Sequence, residues 1–324
     1  MIWGRFSCKG GVLGVLAALL LIFSTGQAVA AEAATTAMTQ DAATYVGEQT
    51  CAGCHVTENK NFGHTLHAKV FRQNPKNEAE KQVCEACHGP GSNHVANPTD
   101  KSALISFTKS WGTPVAKMNE QCLGCHEGGN RTNWGGSIHQ TKKLACSDCH
   151  NPMAKFSANG LLKKGSITET CQTCHQQQRA EFRKKSHMPV PEGKMTCSDC
   201  HNPHGTDGPR LLKADTVNEL CYSCHAEKRG PYIYEHAPVR ENCLNCHLQH
   251  GSNNDKLLKM SRPMLCLQCH DKNANGMGHQ FMDPNINPAT GTSNLPSTRI
   301  GRACQNCHSQ IHGSNSVSGA RWRR

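Results

Sequence analysis

The sequence predicts a chain that is mostly loop with short α-helices and little or no sheet. Only 36% of its 324 residues are hydrophobic and 5% are aromatic, while 29 are Gly and 15 are Pro. This composition supplies too little apolar surface for a conventional core. The chain also has 21 Cys, and all but Cys8 fall within ten copies of one pentapeptide. We therefore expect groups bound to these cysteines, rather than apolar side chains, to form the centre of the fold.

Each pentapeptide reads Cys-x-x-Cys-His. Two thiols at this spacing, on a turn entering a helix, can form thioethers with the two vinyl groups of one porphyrin, and the adjoining His then lies under the iron. Zinc ribbons and disulfides also use Cys-x-x-Cys pairs, but they place no demand on the next residue. With 20 His in the chain, chance would put His after all ten pairs with odds on the order of 10⁻¹². The motifs therefore predict ten covalently bound haems c.

The predicted attachment residues are Cys51, Cys54, Cys84, Cys87, Cys122, Cys125, Cys146, Cys149, Cys171, Cys174, Cys197, Cys200, Cys221, Cys224, Cys243, Cys246, Cys266, Cys269, Cys304 and Cys307. The motif histidines, which we expect to be the proximal iron ligands, are His55, His88, His126, His150, His175, His201, His225, His247, His270 and His308.

Ten further histidines lie outside the motifs, one for each iron: His64, His67, His94, His139, His187, His204, His236, His250, His279 and His312. A single spare His is usually a surface or core residue. The matching totals instead predict that all ten irons are bis-histidine, low-spin and coordinatively saturated. No iron would then be open to a substrate.

The histidines outside the motifs divide the chain into five similar units. Each unit has a motif, a lone His, a second motif and a His shortly after it, as in Cys171 to His175, His187, Cys197 to His201, and His204. The predicted dihaem units span about residues 45–121, 122–165, 166–215, 216–260 and 261–313. With so few residues for each cofactor, we expect closely packed haems in an elongated chain.

The first two units depart from this repeat. Met153 stands where the third unit has His204, whereas the first unit has both His64 and His67 before His94. The extra His of the first unit could be the distal ligand that the second unit lacks, which keeps the total at ten. The alternative is that Met153 is itself an iron ligand, which would raise the potential of that haem. A Met is more often a packing residue, so the His count favours the first interpretation.

Two of the distal histidines should cross between units. His204 and His250 each follow a motif His by three residues, so they point the same way as that His and cannot reach the opposite face of its iron. We expect them to bind neighbouring haems.

The sequence also predicts export. Residues 1–31 combine Arg5 and Lys9, the short apolar run Val12 to Phe23, and Ala28-Val29-Ala30 before a cleavage point. An uncleaved anchor is the alternative, but the apolar run is shorter than the roughly 20 residues that span a bilayer. The mature domain would be residues 32–324. We expect its basic side chains to offset the negative charge of the haem propionates rather than to bind nucleic acid.

Short helices are expected over Asn77 to Cys87, Gln176 to Ser186 and Thr216 to Cys224. Gly89 to Gln121 and Gln280 to Ala303 lack motifs and are predicted to be surface loops. The C-terminal residues 314–324 are predicted to form a basic, flexible tail.

The ten motifs, the signal peptide and the segment His201-Asn-Pro-His-Gly205 resemble the MtrA/DmsE family of periplasmic decahaem cytochromes, which includes MtoA and the haem domain of PioA. The resemblance covers essentially the whole mature chain. It implies a periplasmic protein associated with the outer membrane through a separate β-barrel, and exchange of electrons between periplasmic or inner-membrane cytochromes and extracellular iron or another external donor or acceptor. An extracellular multihaem cytochrome can be a further partner.

Three functions are compatible with the sequence. An electron conduit is favoured because saturated irons leave no substrate site. A multihaem reductase would need an open iron, often marked by Lys in place of the motif His, and none of the ten motifs has this Lys. A periplasmic shuttle that delivers electrons to a reductase is the third. The sequence is compatible with electron flow in either direction, outward or inward.

Overall fold

The computed structural model describes residues 42–270 and 303–323. In this part of the chain the structure is mostly loop with short helices and a single two-stranded sheet, as the sequence predicted. None of the helices here has the length and apolarity needed to cross a membrane. The predicted signal peptide, His279 and nearly all of the loop Gln280 to Ala303 lie outside the described residues.

The longest helix in residues 42–270 and 303–323 has nine residues. The α-helices are α1 Glu48–Cys54, α2 Val56–Phe62, α3 Leu66–Gln73, α4 Glu78–Lys81, α5 Glu85–His88, α6 Ser92–Ala96, α7 Val115–Leu123, α8 Ile138–Thr141, α9 Cys146–Cys149, α10 Ile167–Gln172, α11 Gln176–Glu181, α12 Cys197–Cys200, α13 Val217–Tyr222, α14 Ala237–Glu241 and α15 Met264–Leu267. Single 3₁₀ turns lie at Lys109–Trp111, Gly129–Arg131, Pro209–Leu211, Ala226–Lys228, Cys243–Asn245, Asp255–Leu257, Cys304–Asn306 and Gly319–Arg321. Strands β1 Ser186–His187 and β2 Gly251–Ser252 pair antiparallel.

Side-chain capping explains where several of these helices begin. The hydroxyl of Ser166 accepts a hydrogen bond from the Glu169 amide at the start of α10, and Thr216 does the same for Glu219 at the start of α13, each at 3.1 Å. An N-cap of this kind satisfies an amide that the helix itself leaves unpaired. Both helices end within the following haem motif. The helices predicted over Gln176 to Ser186 and Thr216 to Cys224 are present but shorter, and the segment Asn77 to Cys87 is divided between α4 and α5.

Two sequence expectations differ from the structure. Gly89 to Gln121 is not simply loop, because it contains α6, a 3₁₀ turn and most of α7. The C-terminal segment, expected to be flexible, is folded. Tyr234 and Ser314 exchange backbone hydrogen bonds of 3.0 Å, and the Trp322 indole N–H donates to the Tyr234 carbonyl at 3.1 Å. These contacts with the fourth unit order the tail despite its basic composition.

The apolar core is small, as the composition predicted. Among the described residues, the buried hydrophobic side chains are Phe62, Ala68, Val83, Met118, Trp134, Ala145, Phe182, Val190 and Leu258. Phe62, Ala68 and Val83 form one cluster, and Met153 packs against it. This is far less apolar burial than a domain of this size normally relies on.

A buried asparagine joins the two motifs of the second unit and of the fourth. In the fourth unit the Asn218 side-chain amide donates to the carbonyls of Val239 and Arg240, and its oxygen accepts from the Cys243 amide at 2.8 Å. Asn119 makes the equivalent bonds to Leu144 and Cys146 in the second unit. Each Asn lies three residues before the first Cys of its unit. The Asn side chain therefore fixes the second motif relative to the first.

We expect Asn218→Ala to lower the free energy of unfolding by about 1–3 kcal/mol, because it leaves buried backbone groups without partners. The apparent denaturation midpoint in guanidinium, followed by haem absorbance, measures the effect. Asn253→Ala, at an exposed asparagine, is the control. Equal effects of the two substitutions would contradict this role for Asn218.

Candidate haem sites

All ten motifs adopt the same turn. In each, the amide of the motif His donates to the carbonyl of the first Cys at 2.9–3.1 Å, which closes one helical turn around the pentapeptide. The first motif of a unit ends a helix, as at α10, whereas the second begins a short helix or 3₁₀ turn, as at α12. The twenty motif cysteines are free thiols, and their sulfurs stand in for the thioether sulfurs of an attached haem.

The motif histidines lie opposite histidines from outside the motifs. Among the described residues, seven such pairs have ring centres 5.8–6.4 Å apart, and every pair contains one His of each kind. The pairs are His55 with His94, His126 with His67, His175 with His139, His150 with His204, His201 with His250, His270 with His236, and His247 with His312.

The spacing of these pairs fits an iron between two imidazoles. Two metal–imidazole bonds of about 2.0 Å, plus roughly 1.1 Å from each nitrogen to its ring centre, give a separation of about 6.2 Å. Direct stacking would bring the rings closer. Burial favours the same interpretation, because the Nδ1 atoms of His67 and His204 are buried and have no hydrogen-bond partner among the described residues. An iron bond at the other ring nitrogen would offset the cost of burying these rings.

Several of these imidazoles are held in the metal-binding form. Burial is the largest cause that lowers the pKa of His67, His201, His204 and His236. Burial also lowers the pKa of His312 to about 4, with a contribution from Lys228. These rings are therefore neutral at pH 7, and neutral imidazole is the form that binds a metal.

In each of the five units, a hydrogen bond orients the His of the second motif. Each of these rings meets a backbone carbonyl through Nδ1 at 2.6–3.0 Å: His88 that of Ile105, His150 that of Gly160, His201 that of Arg210, His247 that of Lys256, and His308 that of Arg321. A donor bond at Nδ1 leaves Nε2 free for the iron and raises its basicity. The last of these carbonyls belongs to the tail, which explains part of the tail's order.

A Leu-Leu-Lys triplet supports three of these bonds, and sequence reasoning missed it. The triplets Leu161 to Lys163, Leu211 to Lys213 and Leu257 to Lys259 each place the Lys amide 2.9–3.0 Å from the carbonyl of the second motif Cys. They begin 10 or 11 residues after their motif His in the second, third and fourth units. The repeated triplet was the signal that could have identified this segment.

Six of the seven pairs follow a rule of direction, whereas His94, after the second motif of the first unit, faces His55 of its own unit. The lone His of a unit faces the first motif of the next unit, as His139 faces His175 and His236 faces His270. The His after the second motif faces back to the second motif of the preceding unit. This relation holds for His204 with His150, His250 with His201, and His312 with His247. His204 and His250 thus lie across a unit boundary from their own motif, as their three-residue spacing suggested.

Some candidate ligands lie outside the seven pairs. His187 has its Nε2 3.0 Å from Glu192, and His225 of the next unit lies near Glu227. His88 has an edge-to-face contact with Phe107, and His64 is exposed. By the rule of direction, His187, the lone His of the third unit, would be the partner of His225 in the first motif of the fourth unit.

Parts of the chain match models of c-type cytochrome families. Residues 187–230 and 236–275 match a doubled CXXCH motif, residues 84–167 match a cytochrome c-type protein described as NrfB-like, and residues 23–89 match cytochrome c554 and c-prime. The multihaem cytochrome MtrA of Shewanella baltica (strain OS185) is 39% identical over 275 residues, which cover 84% of this chain and 80% of that protein. The chain belongs to the MtrA family of multihaem cytochromes. Its motifs bind haem c covalently, and it is an electron-transfer protein, as the sequence predicted.

If His150 and His204 bind one iron, we expect His204→Ala to convert one haem to a high-spin form. Adding His150→Ala should then leave the number of altered haems at one, because both changes affect the same iron. His201→Ala combined with His204→Ala is the matched control and should alter two haems. Spin quantification by electron paramagnetic resonance of the oxidised protein measures these numbers. Two altered haems in the first double variant would contradict the shared iron.

Proposed function

We propose that this MtrA-family chain is a decahaem conduit that carries electrons between periplasmic carriers and an external donor or acceptor. It would bind ten haems c, with two axial ligands on each iron. It would reside in the periplasm, associated with the outer membrane through a β-barrel partner. Bound haem supplies the one-electron iron couple, and the protein supplies spacing, axial ligands and solvent exclusion.

The observation that carries this proposal is the contact between successive attachment sites. Within each unit, the first cysteines of the two motifs lie side by side. Thus the hydrogen bond between the thiols of Cys171 and Cys197 raises the pKa of Cys171 and lowers that of Cys197. The corresponding pairs are Cys51 with Cys84, Cys122 with Cys146, Cys221 with Cys243, and Cys266 with Cys304.

Between units, the second cysteines are neighbours instead. Burial raises the pKa of the Cys200 thiol, with smaller contributions from Asp199 and the next unit's Cys224. The other pairs across unit boundaries are Cys87 with Cys125, Cys149 with Cys174, and Cys246 with Cys269. First and second cysteines therefore alternate along the chain, and every attachment site adjoins the next one in sequence order.

This arrangement favours a conduit over a catalyst or a storage protein. A continuous series of attachment sites provides a path from one end of the chain to the other. Two axial ligands at each iron would leave no position for a substrate. The partner and the location rest on the relationship to MtrA and on the predicted signal peptide. The direction of flow would follow the potentials of the partners.

Removal of a middle attachment site tests conduction. We expect Cys171→Ala combined with Cys174→Ala to abolish electron transfer across liposomes that contain the protein and its copurified barrel. Reduced methyl viologen inside and Fe(III) citrate outside are the donor and acceptor, and haem oxidation is timed by absorbance. In detergent, the remaining nine haems should keep the low-spin absorbance and Soret circular dichroism of the wild type, which would demonstrate that the variant is folded.

Cys8→Ala is the control, because Cys8 lies outside the motifs and within the predicted signal peptide. It should conduct like the wild type. Wild-type conduction in the middle-site variant would contradict a single path. Recovery of the native protein without a barrel, together with efficient reduction of a soluble reductase, would favour the periplasmic shuttle.

A further inference from the structure

The structure assigns Met153, rather than His64, as the distal ligand of the haem on Cys84 and Cys87. This inference rests on the proposed set of haem sites. It would make one haem His/Met, with His88 as the proximal ligand, among otherwise bis-histidine neighbours.

Met153 occupies the position that His204 holds in the next unit. Its amide donates to the Asn151 side-chain oxygen at 3.0 Å, as the His204 amide donates to Asn202 at 3.2 Å. The two Asn amides in turn donate to the carbonyls of Leu161 and Leu211. The backbone therefore presents Met153 in the same register as a residue that faces an iron position.

Packing across the unit boundary is also equivalent. In the second and third units, an aromatic residue five positions before the lone His contacts the residue that follows the second motif of the next unit. Trp134 lies 6.4 Å from His204, and Phe182 lies 5.3 Å from His250, as ring-centre distances. Phe62, five positions before His67, belongs to the cluster against which Met153 packs. Met153 thus points back to the first unit, as His204 points to the second.

The second motif of the first unit lies beside the cluster against which Met153 packs. Cys84, the first cysteine of that motif, packs against the same cluster as Met153. By the rule of direction, the residue after a second motif faces the second motif of the preceding unit, which here contains His88. His88 is oriented for ligation, since its Nδ1 lies 2.8 Å from the Ile105 carbonyl. It belongs to none of the seven imidazole pairs.

His64 is placed differently from the distal ligands. It is exposed, whereas Met153, His204, His250 and His312 are all partly buried. His64 lines a cleft with Asn61 and the segment Ala154 to Phe156, beside Met153. No ring contact joins His64 to His88 within the described residues. The surplus histidine in the sequence therefore does not substitute for the missing one at position 153.

A thioether ligand changes the redox property of this site. Met is a weaker donor to ferric iron than a second imidazole, so a His/Met haem has a higher potential than a bis-histidine haem. The second of ten sites would therefore hold an electron more tightly than its neighbours. An electron that enters or leaves at the N-terminal end of the series would rest there.

Near-infrared magnetic circular dichroism of the oxidised holoprotein tests the assignment. Met-ligated ferric haem has a sulfur-to-iron charge-transfer band that bis-histidine haem lacks. We expect this band at an intensity of one haem in ten. It should disappear in Met153→His, with a lower potential for that haem, and persist in His64→Gln and in the exposed-methionine control Met264→Leu.

Absence of the band from wild-type protein would overturn the assignment, and a high-spin signal in His64→Gln would identify His64 as the ligand instead. Loss of the band in Met264→Leu would also overturn it. Haem content per chain, measured by the pyridine haemochrome assay on each variant, tests the ten-site proposal separately. Ten haems without the band would leave the conduit intact and refute the Met153 ligand alone.

Discussion

In the proposed arrangement, the fold depends on axial ligation across the boundaries between units. At the boundary of the second and third units, His139 faces His175 in one direction and His204 faces His150 in the other. The boundary of the fourth and fifth units repeats this exchange with His236 and His312. Because the apolar core is small, we infer that these iron–imidazole bonds supply much of the cohesion that side-chain packing provides in other domains. Ligation would thus join the units and set the order of the haems.

A glycine in the backbone permits a close approach between neighbouring units at two boundaries. The glycine after a crossing histidine allows the chain to approach its neighbour closely. A Cβ at Gly205 would overlap the Asn133 carbonyl oxygen, and one at Gly251 would overlap that of Glu181. Ala154 stands in the corresponding place after Met153, where the chain lies beside the cleft that contains His64.

The chemistry of the chain could be predicted from its sequence, but much of the support around it could not. The attachment residues follow from a strict pentapeptide, and the three-residue spacing of His204 showed that it must reach another unit. In contrast, the order of the tail depends on Tyr234, which lies 80 residues before Ser314 in sequence. The roles of Asn119 and Asn218 depend on the approach of two motifs in space. A total of ten spare histidines also concealed the placement of His64, because counting ligands carries no information about position.

Iron anomalous diffraction from crystals of the holoprotein would test the central claim most directly. The account predicts one iron midway between the imidazoles of each of the seven pairs, including His150 with His204, and irons whose nearest neighbours follow the order of the motifs along the chain. An iron bound by His204 together with another motif histidine, or an iron order that departs from the sequence order, would contradict it.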